Sequence, residues 1–131
     1  HGMVGGQEKL SLLNGSKGLI FPVRWHEPFG LAIIESMYFG CPVFSTPYGA
    51  IPELVPFECG VLSNNADLLI DAINTQRFDP LYCQQHVVDN FNAEKMAQGY
   101  LEKYAQVIKG FTLNQHQPYL MSECQNLEWQ Q

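Results

Sequence analysis

The sequence predicts an α/β fold, a short parallel sheet flanked by helices, and two observations carry that prediction. Three apolar runs, residues 18–23, 42–46 and 60–63, are too brief for helices and are bounded by Gly or Pro. Segments with helical spacing of apolar residues lie between and after them. Strands joined through helices need crossovers, and crossovers place the strands parallel.

Taken in order, residues 3–6 read as a loop marked by Gly5-Gly6. Residues 7–14 form a short helix with Leu10 and Leu13 inward, closed by Gly15. Residues 18–23 are the first strand, ended by Pro22, and the run of Leu19, Ile20, Phe21 and Val23 suits burial on both faces. A helix follows, opening near Pro28, where the missing N–H costs nothing, and closing at Gly40. Residues 42–46 are the second strand, 47–50 a turn, 51–55 one helical turn, and 60–63 the third strand. Three more helices close the chain. Asn64 or Asn65 caps the first, which turns Leu68, Leu69, Ala72 and Ile73 inward. Asp79-Pro80 opens the second. Asn92 opens the third, whose Met96, Tyr100, Leu101, Tyr104, Val107 and Ile108 read as a core-facing stripe up to Gly110.

Ligands of parallel sheets bind beyond the carboxyl ends of the strands. That rule gathers the loops at 23–29, 45–52 and 63–65 around one crevice. The helix opening at Pro28 would direct the N–H groups of Phe29, Gly30 and Leu31, with the positive end of its dipole, at an anion. Gly30 in a first helical turn lowers helix stability and so suggests close approach of a ligand. Glu27 stands at the lip of this helix and Glu35 eight residues on, about 12 Å along a helical rise. Apolar neighbours Ile33, Ile34, Met37 and Tyr38 suggest that Glu35 is buried, satisfied either by ligand hydroxyls or by nearby backbone and water. Arg24 and His26 lie on the crevice side, and Glu53 orients its loop.

Glu27-Pro28-Phe29-Gly30-Leu31, then Glu35, Gly40-Cys41-Pro42-Val43, Gly49-Ala50-Ile51-Pro52-Glu53 and Gly60-Val61-Leu62 occur in a fixed order. Together they resemble the donor-binding half of retaining glycosyltransferases of the GT-B fold, the glycogen-synthase-like and mannosyltransferase-like enzymes with a Glu-x7-Glu signature. The resemblance covers residues 2–110. It implies part of a Rossmann-like nucleotide-sugar-binding domain over residues 1–110, followed by a tail over 111–131 without family character. It implies a nucleotide-sugar donor, transfer with retention and no required metal or cofactor. It assigns Glu27 to the donor sugar near the reaction centre and Glu35 to the ribose hydroxyls. The backbone of Phe29, Gly30 and Leu31 is assigned to the donor phosphates and sugar. The acceptor domain and the first strands, with their basic residues, are missing from this stretch by the same comparison. A partial enzyme that is inactive alone, a standalone binding module and an interaction domain all remain open readings.

Composition narrows the partners. A net charge of −6 with only 7 Lys plus Arg argues against nucleic acid, which is bound through basic residues. No apolar run reaches the roughly 18–20 residues of a membrane span. Cys41, Cys59, Cys83 and Cys124 form no Cys-x-x-Cys pair, which suggests free thiols in a reducing cytoplasm rather than a zinc site. The strand at 18–23 would be an open edge without the missing strands, so a homodimer through that edge is expected. The alternative is that the tail, with a short helix around Pro118, Leu120, Cys124 and Leu127, folds back over it.

Overall fold

The computed structural model describes residues 1–114, 116 and 117. Its sheet has three parallel strands in the order β1 (Leu19–Phe21), β2 (Val43–Ser45), β3 (Gly60–Leu62). Helix α1 (Gly6–Gly15) precedes β1, α2 (Leu31–Tyr38) joins β1 to β2, and the one-turn α3 (Ile51–Leu54) joins β2 to β3. Helices α4 (Ala66–Thr75), α5 (Pro80–Asn90) and α6 (Ala93–Ile108) follow. The chain is the mixed α/β structure its alternating pattern predicts.

Local chemistry sets most helix ends. Asn65, Asp79 and Asn92 each accept a backbone N–H of the helix they open, from Leu68, Leu81 and Lys95. Such caps satisfy donors that the helix itself leaves unpaired. At the end of α2, Gly40 N–H donates to Met37 O and Cys41 N–H to Ser36 O, a Schellman closure.

The sheet divides the core. On one face Leu19, Phe21 and Val43 meet α2 and α5 through Ile33, Met37, Cys83 and Val87, all buried. On the other face Phe44, Leu69 and Ala72 form a smaller cluster beneath α4. Register places Ile20, Phe44 and Val61 side by side in one row. Helix α4 packs mainly on β2 and β3, and Ile20 is 62% exposed. The expectation that the first strand is buried on both faces is therefore corrected: one face is bare. An open groove of about 740 Å³ lies over that bare stretch, lined by Ile20, Phe44, Ile73 and Phe78 with Lys17 and Arg77.

Three more expectations change. The apolar stripe of α6 is not core: Met96, Tyr100, Leu101, Tyr104, Val107 and Ile108 are all exposed. Periodicity reveals that one face is apolar but not whether anything covers it. Leu68 on α4 is exposed and Ile73 borderline; the residues of α4 that are buried with Phe44 are Leu69 and Ala72. The homodimer through the edge of β1 finds no support. That edge is three residues long and is followed by Pro22, which has no N–H to extend a ladder. The proposed cover by a tail helix at residues 118–131 lies outside the described residues.

Candidate functional site

The loop after β1 is held open by hydroxyls from β2. Ser45 Oγ donates to Phe21 O at 2.6 Å and Thr46 Oγ1 donates to Val23 O at 2.7 Å, both hydroxyls being buried. The chain then turns outward through Arg24, Trp25 and His26 before Glu27 pairs with Gly49 in an isolated parallel bridge. Ala50 N–H donates to Glu27 O at 2.8 Å. The loops after β1 and β2 are thus fastened together, and Ser63 N–H on Ser45 O ties the third loop to them. The three loops expected around one crevice do meet at the carboxyl end of the sheet.

Each expected site residue can now be placed. Glu27 is half-buried, and Trp25 Nε1–H donates to its Oε2 at 3.0 Å. Trp25 itself stands edge-on to Phe21. Phe29 stands edge-on to Phe91 at the end of α5, with ring centres 6.2 Å apart. Helix α2 opens at Leu31, not at Pro28. Gly30 is its N-cap in the left-handed region, φ 99°, a conformation that cannot continue into a helix. This also revises the meaning of Gly30. The left-handed backbone favours glycine without any ligand, and a Cβ there would also crowd Ile33 Cδ1 at 3.0 Å and Leu54 Cδ1 at 3.4 Å.

The later start changes the geometry between the carboxylates. Only Leu31 to Glu35 of the interval is helical, a rise of about 6 Å, and the remainder from Glu27 to Gly30 is loop, so a single helical measure of about 12 Å does not apply. No backbone hydrogen bond from the N–H of Phe29, Gly30 or Leu31 is found among the described residues. These donors stand at the positive end of an eight-residue helix.

Glu35 is not a buried, unpartnered carboxylate. Its side chain is 44% exposed, and Lys9 Nζ lies 2.8 Å from its Oε1. Neither the buried setting nor the choice between ligand and backbone anticipated this partner. Lys9 comes from α1, 26 residues away in sequence. Sequence spacing carries no signal for such a pair.

Other residues with a clear part also escaped the sequence reading. His86 on α5 bonds Leu54 O through Nε2 at 3.1 Å and Asn90 Nδ2 through Nδ1 at 3.3 Å. A carbonyl only accepts, so the proton sits on Nε2 and Nδ1 accepts from Asn90. The ring joins α5 to α3. None of Glu27, Phe29, Gly30, Leu31 or Glu35 lines the 740 Å³ groove, which lies around Pro42 and Pro80 instead. Among the described residues no group of three or more His, Cys, Asp and Glu side chains could hold a metal. None of their helices is long and apolar enough to cross a membrane.

Glu27 lies in the loop after β1 and Glu35 in the second turn of α2, with the backbone donors at the start of that helix between them in sequence. The family model for glycosyl transferases group 1 matches residues 1–80. The chain belongs to that family. The matched span takes in the three strands of the described residues, both carboxylates and the Gly49 loop. It stops where α5 opens. Among curated proteins no significant match is found.

Proposed function

We infer that this glycosyl transferase segment binds a nucleotide-sugar donor in the crevice between the loops at 23–29 and 45–52. The observation that carries the reading is the pair Glu27 and Glu35 around the start of α2, in a chain of this family. Glu35 accepts the ribose hydroxyls and Glu27 contacts the donor sugar. The N–H groups of Phe29, Gly30 and Leu31 meet the phosphates, where fixed dipoles stabilise charge on the leaving diphosphate. The Glu-x7-Glu spacing and the motif order support a GT-B arrangement and transfer with retention. Glu27 acts on the donor sugar without serving as a nucleophile.

Residues 1–110 make the donor-binding unit and 111–131 a tail outside it. The buried, unbridged Cys41, Cys59 and Cys83 support a cytoplasmic setting. The 131-residue stretch by itself binds donor without transferring sugar, because transfer needs the acceptor held beside it.

Calorimetric titration with a panel of nucleoside diphosphates tests the reading. Glu35→Ala should weaken binding by about 1–3 kcal/mol, the scale of a hydrogen bond to a charged group. A chain that binds none of the panel, or a folded Glu35→Ala variant with unchanged affinity, would overturn it.

A further inference from the structure

The geometry points to Lys9 as a positioning residue that holds the Glu35 carboxylate in place for a ribose diol. The inference rests on the reading of Glu35 given above. Lys9 reaches from α1 to the second turn of α2, and its Nζ sits 2.8 Å from Glu35 Oε1. Both side chains are partly exposed, 39% and 44%.

As a device for stability this pair is poor. Exposed ion pairs contribute about 0–1 kcal/mol, and ordering a lysine chain costs rotamer freedom of similar or larger size. Helix α1 has no buried residue and no side-chain cap at its start, and at its other end a weak donor, the Cys41 thiol, reaches Leu13 O and Ser16 O. A weakly anchored helix that nevertheless delivers an ammonium to one carboxylate oxygen has its clearest effect on that carboxylate. Glutamate has three rotatable side-chain bonds, and a cis-diol needs its acceptor in one orientation. An ionised carboxylate offers about four acceptor positions on two oxygens. Lys9 occupies one of them on Oε1, which leaves capacity for two donated hydroxyl hydrogens. The rotamer is thereby set before the ligand arrives, and pre-organisation of this kind raises affinity by removing an ordering cost.

Two competing roles for Lys9 give opposite signs. A plain counter-ion competes with the diol for Glu35, so its loss tightens binding. A direct phosphate contact weakens every nucleotide equally when lost. A positioning role weakens only ligands whose diol engages Glu35.

The experiment titrates uridine and guanosine diphosphates, and their 2′-deoxy counterparts, into four forms of the chain. These are the unaltered chain, Lys9→Met, Glu35→Gln and the double variant, with thermal melts confirming that each is folded. Lys9→Met should weaken the ribonucleotide that binds by about three- to tenfold, leave the 2′-deoxy form unchanged and add nothing in the Glu35→Gln background. Lys9→Arg should restore most of the loss. If Glu35→Gln discriminates ribose from deoxyribose while Lys9→Met does not, the positioning role is wrong and the reading of Glu35 stands. Tighter binding by Lys9→Met, or equal weakening of both sugars, also overturns it. If Glu35→Gln changes nothing in a chain that binds, or if the unaltered chain binds neither diphosphate, both the inference and the reading beneath it fall.

Discussion

Gly49 holds the loop after β2 against the loop after β1 at a backbone angle, φ 68°, that side chains rarely adopt. A Cβ built there would collide with the backbone N and O of Glu27, so there is neither a relaxed conformation nor room for alanine. Gly49→Ala should therefore destabilise the chain by about 2 kcal/mol or more and also displace Glu27, which a denaturant midpoint and a donor titration would register together. Trp25 offers a milder probe. Trp25→Phe keeps the ring beside Phe21 but removes the N–H that Glu27 Oε2 accepts. Its melting temperature should stay within a degree or two while donor affinity falls a few-fold, since a hydrogen bond to a charged group is lost where little is buried. Equal affinity in both proteins would separate Trp25 from the positioning of Glu27.

At the level of the helices, sequence pattern and burial part company. Helices α2 and α6 both carry apolar stripes, yet Ile33 on α2 is fully buried and Leu101 on α6 is 65% exposed. Ile33→Ala should cost about 2–5 kcal/mol, because a cavity is left among Met37, Leu54 and their neighbours. Leu101→Ala should stay within about 0.5 kcal/mol. Comparable losses in urea melts would mean that α6 is covered in solution. Cap removal falls between these limits: Asp79→Ala and Asn65→Ala should each cost about 1 kcal/mol, by releasing Leu81 or Leu68 N–H.

For the molecule as a whole, the buried thiols link stability to alkaline pH. Burial, helped by the neighbouring Cys83, pushes the Cys59 thiol up to about 12, and burial raises Cys41 and Cys83 as well. Below about pH 8.5 these thiols are protonated in both folded and unfolded chains, and their contribution is fully present. Above it the unfolded chain releases protons that the folded one retains, so stability falls as pH rises from about 9 toward 12. The melting temperature should be flat from about pH 7 to 8 and drop steadily beyond about 9, less steeply in Cys59→Ala. A profile that stays level to about pH 10.5 in the unaltered chain would contradict the burial of these groups. The same argument makes the three thiols slow to react with a disulfide reagent until the fold opens, because the thiolate is the reactive form.

The order of elements was legible in the sequence because it depends on local chemistry. Three short apolar runs between Gly and Pro can only be strands, and Asn65, Asp79-Pro80 and Asn92 cap helices through atoms two or three residues away. The meeting of the loops at the strand ends was legible too, since parallel strands with helical crossovers put their loops together there. What only the tertiary structure decided depends on residues far apart in the chain. Helix α2 starts three residues late because Glu27 is bridged to Gly49 and Gly30 must turn left-handed before Leu31. Ser45 and Thr46 read as ordinary strand residues, and only the closeness of β1 makes them clamps on Phe21 and Val23. Lys9 and Glu35 become a pair because α1 lies beside α2, a placement that no periodicity encodes. The stripe on α6 is the converse: spacing defines an apolar face, but burial needs a second surface, and among the described residues none is packed against it.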